Sequence, residues 1–168
     1  MQPQEPTAAP TGDPQATAAL GLPWSEVEVV GVRVEPSSNQ PIVLLHDRGR
    51  AERYLPISIN PAGATEIALL APEHEPAAAP PGSQGTHALM QRVLDTYAIS
   101  IERVVIHGVS DRVYGAAIRF TSRGNSRDVT AMCADAIALA LRFGAPLTVG
   151  VSLLEEAGLI VPDEEPTA

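Results

Sequence analysis

Three arginines in the second half of the chain are the side chains whose type and grouping most directly indicate chemistry. Arg119, Arg123 and Arg127, with Arg112 slightly earlier, form the densest basic region of the sequence, around a stretch that contains Gly, Asn and Ser. Guanidinium groups bind phosphate, and a glycine-containing turn lets the backbone approach a polyanion. The segment is therefore a candidate nucleic-acid contact. The alternative is that this segment is only a solvated strand and turn. It is supported by the scarcity of aromatic residues for base stacking, since Phe120 is the one nearby.

Other reactive side chains are expected to be structural. The Glu-His-Glu run at 73–75 could offer an imidazole and two carboxylates to a metal, but its Pro- and Ala-rich surroundings cannot fix their geometry, so a solvated loop is expected. Cys133 stands near the start of a predicted helix, where a thiol can be activated. Because no His or Asn lies nearby in sequence to complete a nucleophile, a small buried residue is expected instead. His46 and His107 are interpreted as strand-end residues.

Composition excludes several functions. Of the 168 residues, 20 are Asp or Glu and 11 are Lys or Arg, all of them Arg, which gives a formal net charge of -9. This charge excludes a basic coat protein that binds any nucleic acid, and the lack of lysine excludes Schiff-base and P-loop chemistry. One cysteine cannot form an internal disulfide or a multi-cysteine zinc site. A phosphate-binding glycine loop, a GxSxG elbow and an HExxH motif are absent from the sequence as well.

The two ends of the chain are expected to lie outside one folded domain. Residues 1–23 are rich in Pro, Ala and Thr and are predicted to be a disordered tail, and residues 162–168 form an acidic tail. The domain is placed at 24–161, with a flexible internal loop at 71–85. The N-terminus lacks a signal-peptide pattern, and no apolar stretch reaches the roughly 20 residues that a membrane helix needs. A cytoplasmic protein without membrane contact is therefore expected.

The first part of the domain predicts three strands and a helix. Alternating apolar residues predict a strand from Trp24 that shifts its pattern at a bulge near Gly31, followed by a strand at 41–46. In the third strand Pro56 cannot donate a ladder hydrogen bond, so either the strand lies at an edge or the ladder is interrupted there. Asn60 followed by Pro is a good helix start, and this helix is expected to end near residue 70.

The second part predicts helices on both sides of a hairpin. Thr86 can cap a helix whose apolar residues recur at helical spacing and are expected to be buried: Leu89, Val93, Leu94 and Tyr97. A hairpin at 101–121 and a short strand at 129–131 precede a buried helix that Gly144 ends. A small strand at 147–149 and a brief helix opened by Ser152 and ended by Gly158 complete the pattern. We expect a compact α+β domain with a mixed or antiparallel sheet packed against a few helices.

Several segments together resemble a known family. The stretches EVVGVRV, RYLPISI and DAIALALR occur in this order and are followed by AGLIVPDE. In this combination the chain resembles the bifunctional nuclease domain family across about residues 26–164. The resemblance implies a compact α+β domain that self-associates into a homo-oligomer and degrades DNA and RNA.

The sequence departs from the family pattern at polar positions. The family usually has RYLPIWIG followed shortly by Glu, whereas here Ser58 replaces the Trp, Asn60 the Gly and Gly63 the Glu. A Thr-His-Asp motif appears as Thr-His-Ala, which keeps His87. In a Ser-Arg-Pro-Ser-Asp motif Met132 replaces the Arg, and only the Asp is kept. One carboxylate of each of the first two motifs is therefore missing.

The remaining polar residues define the candidate site that the resemblance implies. Asp135 would act as metal ligand or base and His87 as acid/base helper, and Glu66, one helical turn after Gly63, could replace the missing carboxylate. A divalent metal is compatible with such a site. Asp135 also has a structural alternative, because an acid in a first helical turn offsets the helix dipole. A working nuclease is one hypothesis; a catalytically decayed, oligomeric binding or regulatory module is the other.

Overall fold

The structure, a computed structural model, describes residues 12–72, 85–110 and 113–161. In these ranges the helices are α1 (Pro14–Leu20), α2 (Pro61–Leu70), α3 (Thr86–Thr96), α4 (Cys133–Phe143) and α5 (Val151–Ala157). The strands are β1 (Trp24–Val34), β2 (Pro41–Asp47), β3 (Arg53–Ser58), β4 (Ser100–Ser110), β5 (Val113–Ser122), β6 (Asn125–Ala131), β7 (Leu147–Gly150) and β8 (Leu159–Ile160). None of these helices is long and apolar enough to cross a membrane.

All eight strands join one mixed sheet in the order β6-β5-β4-β7-β1-β2-β3-β8. Only the pairing of β4 with β7 is parallel among the strand pairs of the described residues. Helices α2 and α4 pack on one face of the sheet, where they enclose the main core, and α1 packs on the opposite face of β4, β5 and β6. The predicted α+β fold with a mixed sheet is confirmed.

The first three strands follow the sequence pattern closely. The register of β1 against β2 shifts between Val29 and Gly31, which confirms the predicted bulge. Pro56 lies opposite Leu44 of β2 on one side of β3, and β8 pairs only with Arg53 and Tyr54 on the other side. Within the described chain, no strand pairs with the outer side of β3 at Pro56. The strand therefore behaves as an edge at that residue, where a missing N–H is tolerated.

Helix boundaries agree with the sequence where a side chain or a left-handed residue fixes them. Asn60 caps α2 by accepting a hydrogen bond from the N–H of Gly63 at 2.6 Å, and Gly144 ends α4 with φ 60. Two expected start signals are wrong. The N-cap of α3 is Gly85 rather than Thr86, and α5 begins one residue before Ser152 without a side-chain cap.

Strand β6 is longer than expected, and the turn before it explains why. Arg123 has φ 50 and Gly124 has φ 79, so both central residues of the turn between β5 and β6 are left-handed. This backbone matches the twist of a two-residue hairpin. The polar stretch expected to be a turn therefore pairs with β5 from Asn125 onward.

The predicted disordered tail over residues 1–23 is wrong for the part that the structure describes. Asp13 caps α1 by accepting from the N–H of Gln15, and the buried side chains of Ala16 and Leu20 pack against Val105 and Ala117 of the sheet. Small side chains let a short helix lie close to the sheet, a contact that composition alone does not reveal. Residues 1–11, most of the predicted 71–85 loop (73–84) and the acidic tail at 162–168 lie outside the described residues.

The expected buried stripe on α3 is also wrong. Leu89, Val93 and Tyr97 are 58%, 45% and 68% exposed. Helix α3 packs against α4 and buries Ala88, on a different side of the helix from that stripe. Helical periodicity identified an apolar face correctly, but the face does not cover the core of this chain.

Candidate functional site

Three helices bring together the candidate residues Glu66, His87 and Asp135. Asp135 stands in the first turn of α4, and its Oδ1 is 3.0 Å from Nε2 of His87 at the start of α3. Because an ionised carboxylate only accepts hydrogen bonds, Nε2 of His87 is the donor. On the other side of the imidazole, Nδ1 lies 3.9 Å from Oε1 of Glu66 in α2. The structure therefore places the imidazole between two carboxylates.

Arg142 completes this cluster and was missed at the sequence level. Its Nε donates to Oε1 of Glu66 at 2.9 Å, and a second guanidinium nitrogen donates to the same oxygen. Arg142 ends the DAIALALR motif seven residues after Asp135, a spacing that places both on one side of α4. That spacing is the signal that could have found it. The contacts run in the order Arg142, Glu66, His87, Asp135.

Exposure differs along the cluster. The side chain of Asp135 is 52% exposed, whereas those of His87, Glu66 and Arg142 are 18%, 17% and 18% exposed. Asp135 is therefore the member of the cluster most open to solvent, and the other three side chains are largely covered. Asp135 also lies at the positive end of the α4 helix dipole. This position fits the alternative role of Asp135, which is to offset the helix dipole.

Close packing of α2 on α4 sets the spacing of the cluster. A Cβ added to Gly63 would lie 2.5 Å from Cβ of Ala134, a separation that real side chains do not show. Gly63, which occupies the family's glutamate position, is thus required here for the approach of the two helices. Glu66 lies one turn further along α2 and reaches His87 from there.

Other groups considered from the sequence do not form a reactive site. Burial raises the pKa of the Cys133 thiol to about 12, so this residue stays a neutral thiol near neutral pH. His46 binds Glu28 at 2.9 Å, and this hydrogen bond raises the pKa of His46. No three His, Cys, Asp or Glu side chains of the described residues are arranged to hold a metal ion. The Glu-His-Glu run at 73–75 lies outside these residues.

The structure does not gather the three candidate arginines into one patch. Arg119 binds Asp128 through two hydrogen bonds of 2.7 and 2.9 Å, which hold the pKa of Asp128 below its ordinary value. In the register of β5 and β6, Arg119 pairs with Asp128 and Phe120 pairs with Arg127, so Arg119 and Arg127 point to opposite faces of the sheet. Arg123 is exposed at the turn between the two strands.

Comparison with known proteins places the cluster within a domain of a known family. Residues 43–162 match the family model of the bifunctional nuclease domain. Two proteins of Mycobacterium tuberculosis, the uncharacterized proteins MT1877 and Rv1829, are each 36% identical to this chain over 139 residues, which cover 83% of this chain and 79% of each relative. All four residues of the cluster lie within the matched range.

Proposed function

Since this chain belongs to the bifunctional nuclease domain family, we propose that it hydrolyses phosphodiester bonds of DNA or RNA. The observation that supports this function is the line of polar contacts from Arg142 through Glu66 and His87 to the exposed Asp135. A carboxylate held by an imidazole at the protein surface is suited to general acid/base catalysis.

Each member of the cluster has a role in the proposed hydrolysis. As a water molecule attacks the phosphorus, Asp135 accepts its proton through the carboxylate oxygen that His87 leaves free, and the leaving alkoxide takes a proton from solvent as its P–O bond breaks. His87 orients Asp135, while Arg142 fixes the carboxylate of Glu66, which lies 3.9 Å from the imidazole on the protected side. The first backbone N–H groups of α4 have no side-chain cap at Met132, and they supply partial positive charge for the phosphate oxygens.

Substitution of Asp135 tests the proposed site. We expect Asp135→Asn to lower cleavage of labelled DNA and RNA by roughly 100-fold or more, the usual contribution of a general base. Because Asp135 is half exposed, the melting temperature should stay within a few degrees of the wild type. Cleavage is measured with Mg²⁺, Mn²⁺ or EDTA, since the described residues do not define a metal site.

A matched aspartate controls this experiment. Asp95→Asn changes an exposed aspartate of α3 outside the cluster and should leave cleavage unchanged. Equal cleavage by wild type, Asp135→Asn and Asp95→Asn, all purified identically, would reject the site or reveal a contaminating nuclease. Loss in Asp135→Asn alone would support it.

A second function is favoured by one feature of α3. Leu89, Met90 and Val93 of α3, together with its C-cap Tyr97, are exposed on the single chain, as a surface for association would be. This surface supports a homo-oligomeric binding or regulatory module whose hydrolytic centre has decayed. Absence of cleavage under every condition, together with retained binding of nucleic acid, would favour this function over hydrolysis.

A further inference from the structure

A cavity of about 330 Å³ opens beside the proposed catalytic cluster. It lies between the end of β3, the start of β5 and the N-termini of α2 and α4. Cys133 and Ala134, the first two residues of α4, line it, and Asp135 follows them directly in the same helical turn. A group bound in the cavity would therefore lie within one helical turn of Asp135.

The lining of the cavity is uncharged and largely apolar. Val113, Tyr114 and Met132 are its more accessible apolar residues, Ile57 and Ile59 are largely buried behind it, and Ser58 and Asn60 are the polar ones. The amide oxygen of Asn60 is used in capping α2, so the NH₂ of Asn60 and the hydroxyl of Ser58 are the hydrogen-bonding groups that these two lining residues have left. Cys133 also contributes, as a neutral thiol. Such a lining favours a neutral, flat group with a few hydrogen-bonding atoms, and Tyr114 provides an aromatic ring for stacking.

We propose that this cavity holds an unpaired nucleobase next to the phosphate that is cleaved, so that the protein acts on single-stranded rather than double-stranded nucleic acid. This inference rests on the proposed hydrolytic function. A base in a duplex is stacked on its neighbours and paired with the opposite strand. It therefore reaches a protein cavity only after it has left the nucleic-acid duplex. The neutral lining suits the base, and the uncapped N-terminus of α4 suits the adjacent phosphate.

Ser58 is a small residue that stands at the end of β3 and lines the cavity. An indole at this position would fill the space that the base requires. Ser58 also lines a larger neighbouring cavity of about 740 Å³, whereas Met132 lines only the smaller of the two. An effect shared by Ser58→Trp and Met132→Trp therefore indicates the smaller cavity, whereas an effect of Ser58→Trp alone indicates the larger one.

Cleavage of matched strands tests the inference with the full-length protein. The substrates are a labelled single strand, the same strand in a duplex, and the single strand with abasic sites. We expect the wild type to cleave the single strand at least roughly tenfold faster than the other two, since stacking of one base contributes about that much. Ser58→Trp and Met132→Trp should remove this advantage, whereas Ser37→Trp, in the exposed turn after β1, should keep it. Thermal melting confirms that each variant is folded.

Anisotropy of the same labelled strands, measured in EDTA, distinguishes failure of the inference from failure of the function. Equal cleavage of single strand, duplex and abasic strand by the wild type would overturn the base site and leave the nuclease function in place. No cleavage, with single-strand binding weakened by Ser58→Trp and Met132→Trp but not by Ser37→Trp, would reject the function and retain the base site. Unchanged binding in both cavity variants would overturn the base site in either case.

Discussion

Asp47 is the most completely buried acidic side chain of the described residues, and it organises the turn between β2 and β3. Its carboxylate accepts hydrogen bonds from Ser25 at 2.7 Å, from Arg53 at 2.8 Å and from the N–H of Gly49 at 2.9 Å. We expect Asp47→Asn to lower the free energy of unfolding by about 3–5 kcal/mol, because Arg53 would be left as an uncompensated, mostly buried charge. Urea unfolding measures this loss. The double variant Asp47→Asn/Arg53→Met should recover part of the lost stability, because it removes the unpaired charge. An Asp47→Asn variant that is as stable as the wild type would contradict the prediction.

The same residue predicts how stability depends on pH. Burial by itself would raise the pKa of Asp47, but the hydrogen bonds from Ser25, Arg53 and Gly49 outweigh it and hold the pKa below the ordinary value of 3.8. A lowered pKa in the folded state stabilises the protein above the pKa of the unfolded chain and ceases to do so as the pH falls through the folded value. The stability difference between wild type and Asp47→Asn should therefore be constant near neutral pH and shrink below about pH 4.

At the scale of elements, the docking of α1 is the feature that composition concealed. Hydrogen bonds hold the helix at its middle and at its C-terminal end: Thr17 donates to Asp128 at 2.9 Å, and Arg103 donates to the carbonyl of Leu20 at 3.0 Å. We expect Ala16→Glu to destabilise the protein by more than about 2 kcal/mol, because Ala16 is fully buried against the sheet. Ala18→Glu makes the same change at an exposed position of α1 and should alter stability by less than about 0.5 kcal/mol. Hydrogen exchange of residues 14–20 and urea unfolding measure both; equal effects would contradict the docking.

Sequence patterns predicted the elements better than their contacts. The bulge at Gly31, the cap at Asn60 and the end of α4 at Gly144 follow from local backbone chemistry, which is written in neighbouring residues. The assembly of Glu66, His87 and Asp135 depended on family resemblance, since their proximity results from packing of three helices. Arg142 was overlooked because its partner in α2 is distant in sequence. Local sequence patterns also cannot show whether an apolar helix face packs against its own chain or against a second protein chain.

For the molecule as a whole, α3 makes that last question testable. Its exposed apolar side chains would be covered if two or more copies associated through this helix, which would explain why the sequence predicted them to be buried. We expect the wild type to elute as a dimer or larger assembly in size-exclusion chromatography with light scattering, and Val93→Glu to shift it toward the monomer. Val34→Glu is the matched control: Val34 is 60% exposed and Val93 45%, but Val34 lies at the end of β1. A monomeric wild type, or an equal shift by both variants, would contradict association through α3. Since the α3 surface begins two residues after His87, cleavage by the Val93→Glu monomer would further show whether association supports the proposed site or is independent of it.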